Sequence, residues 1–107
     1  AYDSIEVTNH ENPHAAFVFS SAEATSSDPV RISARGRKLT PADREYRTDL
    51  QRYWVKRHVQ DGQEFVLREQ ALCKPKWAKA EGRCDRYVYA DSTGEEHVFY
   101  FYLDNWP

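Results

Sequence analysis

At 107 residues the chain is long enough for one hydrophobic core and too short for two domains. Charged residues make up 30% of it and aromatics 14%, with a formal net charge of −2, a balance that argues against disorder and against the basic excess of a general nucleic-acid binder. No apolar run approaches the roughly 20 residues of a membrane-spanning helix. The sequence begins at Ala1 and holds no methionine, which fits a mature exported protein or a trimmed piece of a longer one.

Ile5 and Val7 alternate with Glu6 and Thr8, so residues 5–8 read as a short strand. Asn9 to Pro13 is rich in turn formers. The run 15–20 is a second strand, pairing with the first as a hairpin. Residues 21–29 are small and polar and read as a loop. From 30 to 35, Val30, Ile32 and Ala34 alternate with Arg31, Ser33 and Arg35, the pattern of a half-buried strand that Gly36 ends.

Thr40-Pro41-Ala42-Asp43 opens a helix. Thr40 can cap it, Pro41 suits the first helical position, and Asp43 favours the positive end of the dipole. The helix is expected over 40–60, stopped at Asp61-Gly62. Ala42, Tyr46, Leu50, Tyr53 and Trp54 form its apolar stripe, with Val55 and Val59 on the flank. Asp43, Arg44, Arg47, Asp49 and Arg52 fall mostly on the solvated side. His58 sits near the end, where the dipole favours a cation.

Three strands follow, at 64–72, 85–90 and 97–103. Phe65, Leu67 and Ala71 of the first are expected to face inward. The turn Ser92-Thr93-Gly94-Glu95 makes a hairpin of the last two. The run 97–103 is apolar on both faces, as a central strand would be, and it offers a route to a homodimer. The order β-β-β-α-β-β-β implies a single α+β domain over 1–107. Its sheet is mostly antiparallel, with the one helix packed on one face.

Cys73 and Cys84 flank a short loop. A disulfide there would place the protein in an oxidising compartment, periplasmic or secreted. Closing so short a loop contributes about 3 kcal/mol. The loop carries Lys74, Lys76, Lys79 and Arg83 against Glu81 alone, with Trp77 at its middle. Trp, Tyr and Arg dominate protein–protein contacts. Trp77, Lys74, Lys76, Lys79 and Arg83, with Tyr87 and Tyr89 of the adjoining strand, are therefore the expected partner-binding residues. The opposing expectation for Trp77 is a lid folded back over the hairpin.

His10 and His14 sit by a turn without the further ligands a metal needs, so they read as surface histidines. No Gly-rich phosphate loop, nucleophile elbow or metalloprotease motif is present, and no cofactor or metal is expected. Three function classes remain. The first is an exported domain that binds another protein, as an inhibitor, an immunity protein or an accessory subunit of an envelope complex. The second is a small hydrolase of ribonuclease type, with His97 and Glu69 moving protons and Arg86, beside Arg83, stabilising a phosphate. It requires those side chains to share one face. The third is carriage of a ligand in a cavity between sheet and helix.

Overall fold

The computed structural model describes residues 2–7, 15–20, 22–58, 64–73 and 83–107. Three strands, β1 (Tyr2–Val7), β2 (Ala15–Ser20) and β3 (Ile32–Ala34), form an antiparallel sheet in that order. A 3-10 segment (Pro41–Tyr46) leads into helix α1 (Arg47–His58). Strands β4 (Val66–Cys73), β5 (Cys84–Ala90) and β6 (Glu96–Tyr102) form a second antiparallel sheet, again in chain order. The α+β class and the strand order are those read from the sequence. The turn at 9–13, His10, His14, Val59 and Asp61-Gly62 lie outside the described residues.

The two sheets are joined. Val30 donates its N–H to the Tyr100 carbonyl at 3.0 Å and accepts from the Tyr102 N–H at 2.8 Å, as a parallel bridge to β6. Tyr100 N–H donates in turn to the Ala24 carbonyl at 2.7 Å. Val30 lies two residues before β3, so this bridge links the sheet β1-β2-β3 to the β6 side of the sheet β4-β5-β6. β6 is therefore interior, with β5 on one edge and the segment 24–30 along the other. That edge of β6 is engaged at Tyr100 and Tyr102.

The helix lies across the joined sheets. Tyr46 meets Phe17 with ring centroids 5.6 Å apart, and Tyr53 stacks on Phe19 at 6.1 Å. Trp54 sits edge-on to Phe99 and Phe101, at 6.1 and 5.7 Å. Leu50 and Val55 complete the buried stripe, as the helical spacing predicts. Trp106 is buried and stacks on Phe17 at 6.4 Å, so the chain's last residues cover the core.

Two assignments change. Ala42 is exposed and Asp43 is wholly buried, the reverse of their places on a regular α-helical wheel. The first turns are 3-10, with a tighter repeat than the α-helix, so the stripe starts at Tyr46. Ala71 also faces outward, because β4 carries a bulge between Leu67 and Glu69 that reverses its later side chains.

Cys73 and Cys84 are bonded, directly opposite each other in the β4–β5 register, with their Cα atoms 4.9 Å apart. The bond ties the two ends of one hairpin. Reducing it is expected to cost about 3 kcal/mol. Thermal melts of the oxidised and reduced protein check this, as a midpoint lower by about 15 °C on reduction.

Candidate functional site

The second sheet has two chemically distinct faces, because directly paired residues share a side. On the inner face, Asp85 pairs with Phe101, Tyr87 with Phe99 and Tyr89 with His97. On the outer face, Arg86 pairs with Tyr100, Val88 with Val98 and Ala90 with Glu96. β4 adds Val66, Glu69 and Ala71 to the outer face, and Leu67, Gln70 and Leu72 to the inner one. The helix covers only the inner face.

This placement separates the hydrolase residues. Arg86 and Glu69 form an ion pair on the outer face, with Nη1 donating to Oε1 at 2.8 Å. His97 belongs to the inner face, where its ring lies 4.9 Å from that of Phe65. A sheet stands between the histidine and the other two groups, so the three cannot act on one phosphate. In a bulge-free strand, Glu69 would share the face of Leu67, and hence of Tyr89 and His97. The single residue inserted at the bulge undoes the trio.

His97 works locally instead. Its Nε2 lies 2.9 Å from Asp91 Oδ2 at the mouth of the β5–β6 hairpin. Asp91 Oδ1 accepts from Thr93 N–H, Thr93 Oγ1 and Glu95 N–H at 2.9, 2.6 and 3.1 Å. The Thr93 hydroxyl foremost, then His97, holds the Asp91 carboxyl well below the usual carboxylate range. Gly94 takes φ +86° in this turn, which a side chain would strain. Donor atoms of Asp91, Glu95 and His97 lie within 4.8 Å of one another, the one such trio among the described residues. These are donors that a divalent ion accepts. Three of the trio's contacts already serve to close the turn.

A second polar group is enclosed between helix and sheet. Tyr87 Oη donates to Gln51 Oε1 at 2.5 Å, and Gln51 Nε2 donates to Asp85 Oδ2 at 2.8 Å. Arg47 Nε approaches the same carboxylate oxygen at 3.3 Å. Burial pushes the Asp85 carboxyl up, against the Gln51 amide and the Arg47 and Arg83 charges, which pull it down. Burial likewise raises the Tyr87 and Tyr89 hydroxyls, so Tyr87 remains a donor.

Of the expected partner-binding residues, Lys74, Lys76, Trp77 and Lys79 lie outside the described residues. Arg83 is exposed at the start of β5, its N–H donating to Asp104 Oδ1 at 2.8 Å. Tyr87 and Tyr89 are buried against the helix side of the sheet and present no contact surface, which corrects that part of the expectation. A strand aromatic on one face and mixed on the other does not reveal which face the helix takes.

The outer face carries a different surface. Val66 is 52% and Val98 38% exposed, and they flank the small buried pair Val88 and Ala90, with the Arg86–Glu69 ion pair beside them. A depression of about 430 Å³ lies between Arg37–Leu39 and Asp104–Pro107 beside β3, with no residue of α1 in its lining. It is not the cavity between sheet and helix that ligand carriage requires.

Among the described residues no helix is long and apolar enough to cross a membrane. Comparison of the chain with protein-family models, with curated proteins and with solved structures found no match.

Proposed function

We propose that this is a small exported domain that works by contacting another protein, as an inhibitor, an immunity protein or an accessory subunit of an envelope complex. The observation that carries the reading is the pair of exposed apolar side chains, Val66 and Val98, on the outer face of β4–β5–β6, over which no described helix or strand packs. Apolar side chains in contact with solvent, bordered by a charged pair, are the composition of a recognition patch. The Cys73–Cys84 bond closes the stretch of chain that carries Lys74, Lys76, Trp77 and Lys79, whose composition adds aromatic and cationic side chains to those of the sheet. The disulfide agrees with an oxidising compartment. Separation of His97 from Glu69 and Arg86 leaves the hydrolase reading without its constellation.

The test uses the oxidised protein as bait in its native source, with two variants beside it. Val66→Asp with Val98→Asp alters the sheet face, and Trp77→Ala with Lys76→Ala alters the loop. A stoichiometric partner that is retained by the parent protein and lost from either variant, with unchanged melting, supports the reading. A partner indifferent to both variants, or none at all, overturns it.

A further inference from the structure

β4 ends the strand order, and among the described residues nothing pairs with its outer edge. An unpaired edge of eight residues presents a row of backbone donors and acceptors that another strand can take. The side chains decide which strand. Arg68 and Glu69, both exposed, stand at the middle of the edge, and the Glu69 carboxylate, which accepts from Arg86 through Oε1, keeps its second oxygen for a further donor. This pair of charges disfavours an apolar strand. It is answered in kind by an antiparallel copy of itself, in which each Arg68 meets the other chain's Glu69.

The bulge makes that register work on both faces. Ahead of it, Val66 points outward and Leu67 inward; beyond it, Ala71 points outward and Gln70 inward. In a straight strand, residues whose numbers differ by an odd amount face opposite ways, so these could not pair. The inserted residue restores the match. A two-fold axis passing between Arg68 and Glu69 sets Val66 against Ala71 on the outer face and Leu67 against Gln70 on the inner one. One step further, Phe65 meets Leu72. Phe65 already lies inward, beside Tyr89 and His97. Leu72, 66% exposed, is the most exposed of the large apolar side chains described, and this pairing covers it.

We infer that the protein forms a two-fold dimer by antiparallel pairing of its β4 edges, with reciprocal Arg68–Glu69 contacts at the axis, making one sheet of the two copies. A C2 contact of this kind uses the same strip on both chains, so each favourable pair occurs twice. The contact is narrow, one strand edge wide, which places it among weak, concentration-dependent associations.

Sedimentation velocity on the purified protein, from micromolar to millimolar chain concentration, is the test. The parent protein is expected to shift from monomer to dimer across that range. Arg68→Glu sets Glu against Glu69 twice, and Glu69→Arg sets Arg against Arg68 twice. Either alone should raise the dimer dissociation constant at least about tenfold. Mixed in equal amounts, the two variants offer opposite charges at both crossings, so a heterodimer should form where neither variant pairs with itself. Both positions are exposed, and melting curves identify any variant that fails to fold. A parent protein that stays monomeric overturns the inference. So does a dimer indifferent to Arg68→Glu, or a mixture that does not associate. No other protein enters the measurement, so it stands or falls separately from the proposed partner binding.

Discussion

Asp43→Ala is expected to cost about 4 kcal/mol of folding stability and to lower the thermal midpoint by about 20 °C. Asp43 is wholly buried. Its carboxylate accepts from Arg37 Nη1 and Nη2 at 2.8 and 2.9 Å, a two-pronged ion pair. It also accepts from Thr40 N–H at 2.7 Å and Thr40 Oγ1 at 3.1 Å, closing a capping box at the start of the 3-10 segment. Alanine removes the acceptor for all four donors. The Arg37 side chain is 35% exposed, so water recovers part of the loss there, and the cost stays below that of a fully enclosed charge. The Thr40 N–H and the cap are not recovered. The Arg37 guanidinium foremost, despite burial, holds the Asp43 carboxyl below the usual carboxylate range. A depressed acid contributes stability that is present above its unfolded value, about 4, and is lost as pH falls through the lower folded value. Urea midpoints of the parent protein should therefore fall on acidification, while those of the alanine variant follow a flatter course. A stability gap that stays constant into strong acid would sink this account.

Asp43 also shows what the sequence could and could not reveal. Thr40, Pro41 and Asp43 announce the start of a helix through local chemistry, and the start is where they place it. Burial of Asp43 depends on Arg37, six residues upstream, turning back over the cap, and on a 3-10 first turn that shifts the wheel. Neither is a local preference. The strands were legible because alternation and β-branched residues need only a neighbour's pleat. Their facing was not. Tyr87 and Tyr89 alternate with Arg86 and Val88 in either orientation, and the helix alone makes the tyrosine side the inside. The bulge at Arg68 left no mark in composition, yet it sends Glu69 to the face opposite His97 and so separates residues that the sequence pattern would place together. Gln51 was missed because a glutamine on a helix ordinarily reads as solvated. The signal was available in part: Gln51 follows Leu50 directly and precedes Trp54 by three, so it sits on the rim of the apolar stripe.

Gln51→Leu carries the other large expected effect, again about 4 kcal/mol. Leucine is close in volume, so the change removes hydrogen bonds without opening a large cavity. Gln51 is the link between two buried groups, accepting from Tyr87 Oη and donating to Asp85 Oδ2. Without it, the tyrosine hydroxyl loses its Gln51 acceptor and the carboxylate keeps only Arg47, at 3.3 Å, as a close partner. Each such buried group costs about 1–3 kcal/mol, and a charged one more. Tyr87→Phe takes the hydroxyl from the Gln51 oxygen and from the Thr48 side chain but leaves the Gln51–Asp85 bond in place, and should cost about 1–2 kcal/mol, so the two variants bracket the carboxylate's share. Acid then separates this site from Asp43. Burial raises the Asp85 carboxyl, and the Gln51 amide is the strongest influence opposing that rise. A raised acid binds its proton more readily folded than unfolded, so lowering the pH from above the folded value toward about 4 adds stability. Removing Gln51 raises the folded value further and enlarges that gain. The leucine variant should therefore recover stability on mild acidification, relative to the parent protein, before Asp43 begins to lose its charge in stronger acid. Midpoints in urea between neutrality and pH of about 4 decide the matter. A leucine variant whose deficit is constant over that window would mean that Asp85 is not the group left stranded.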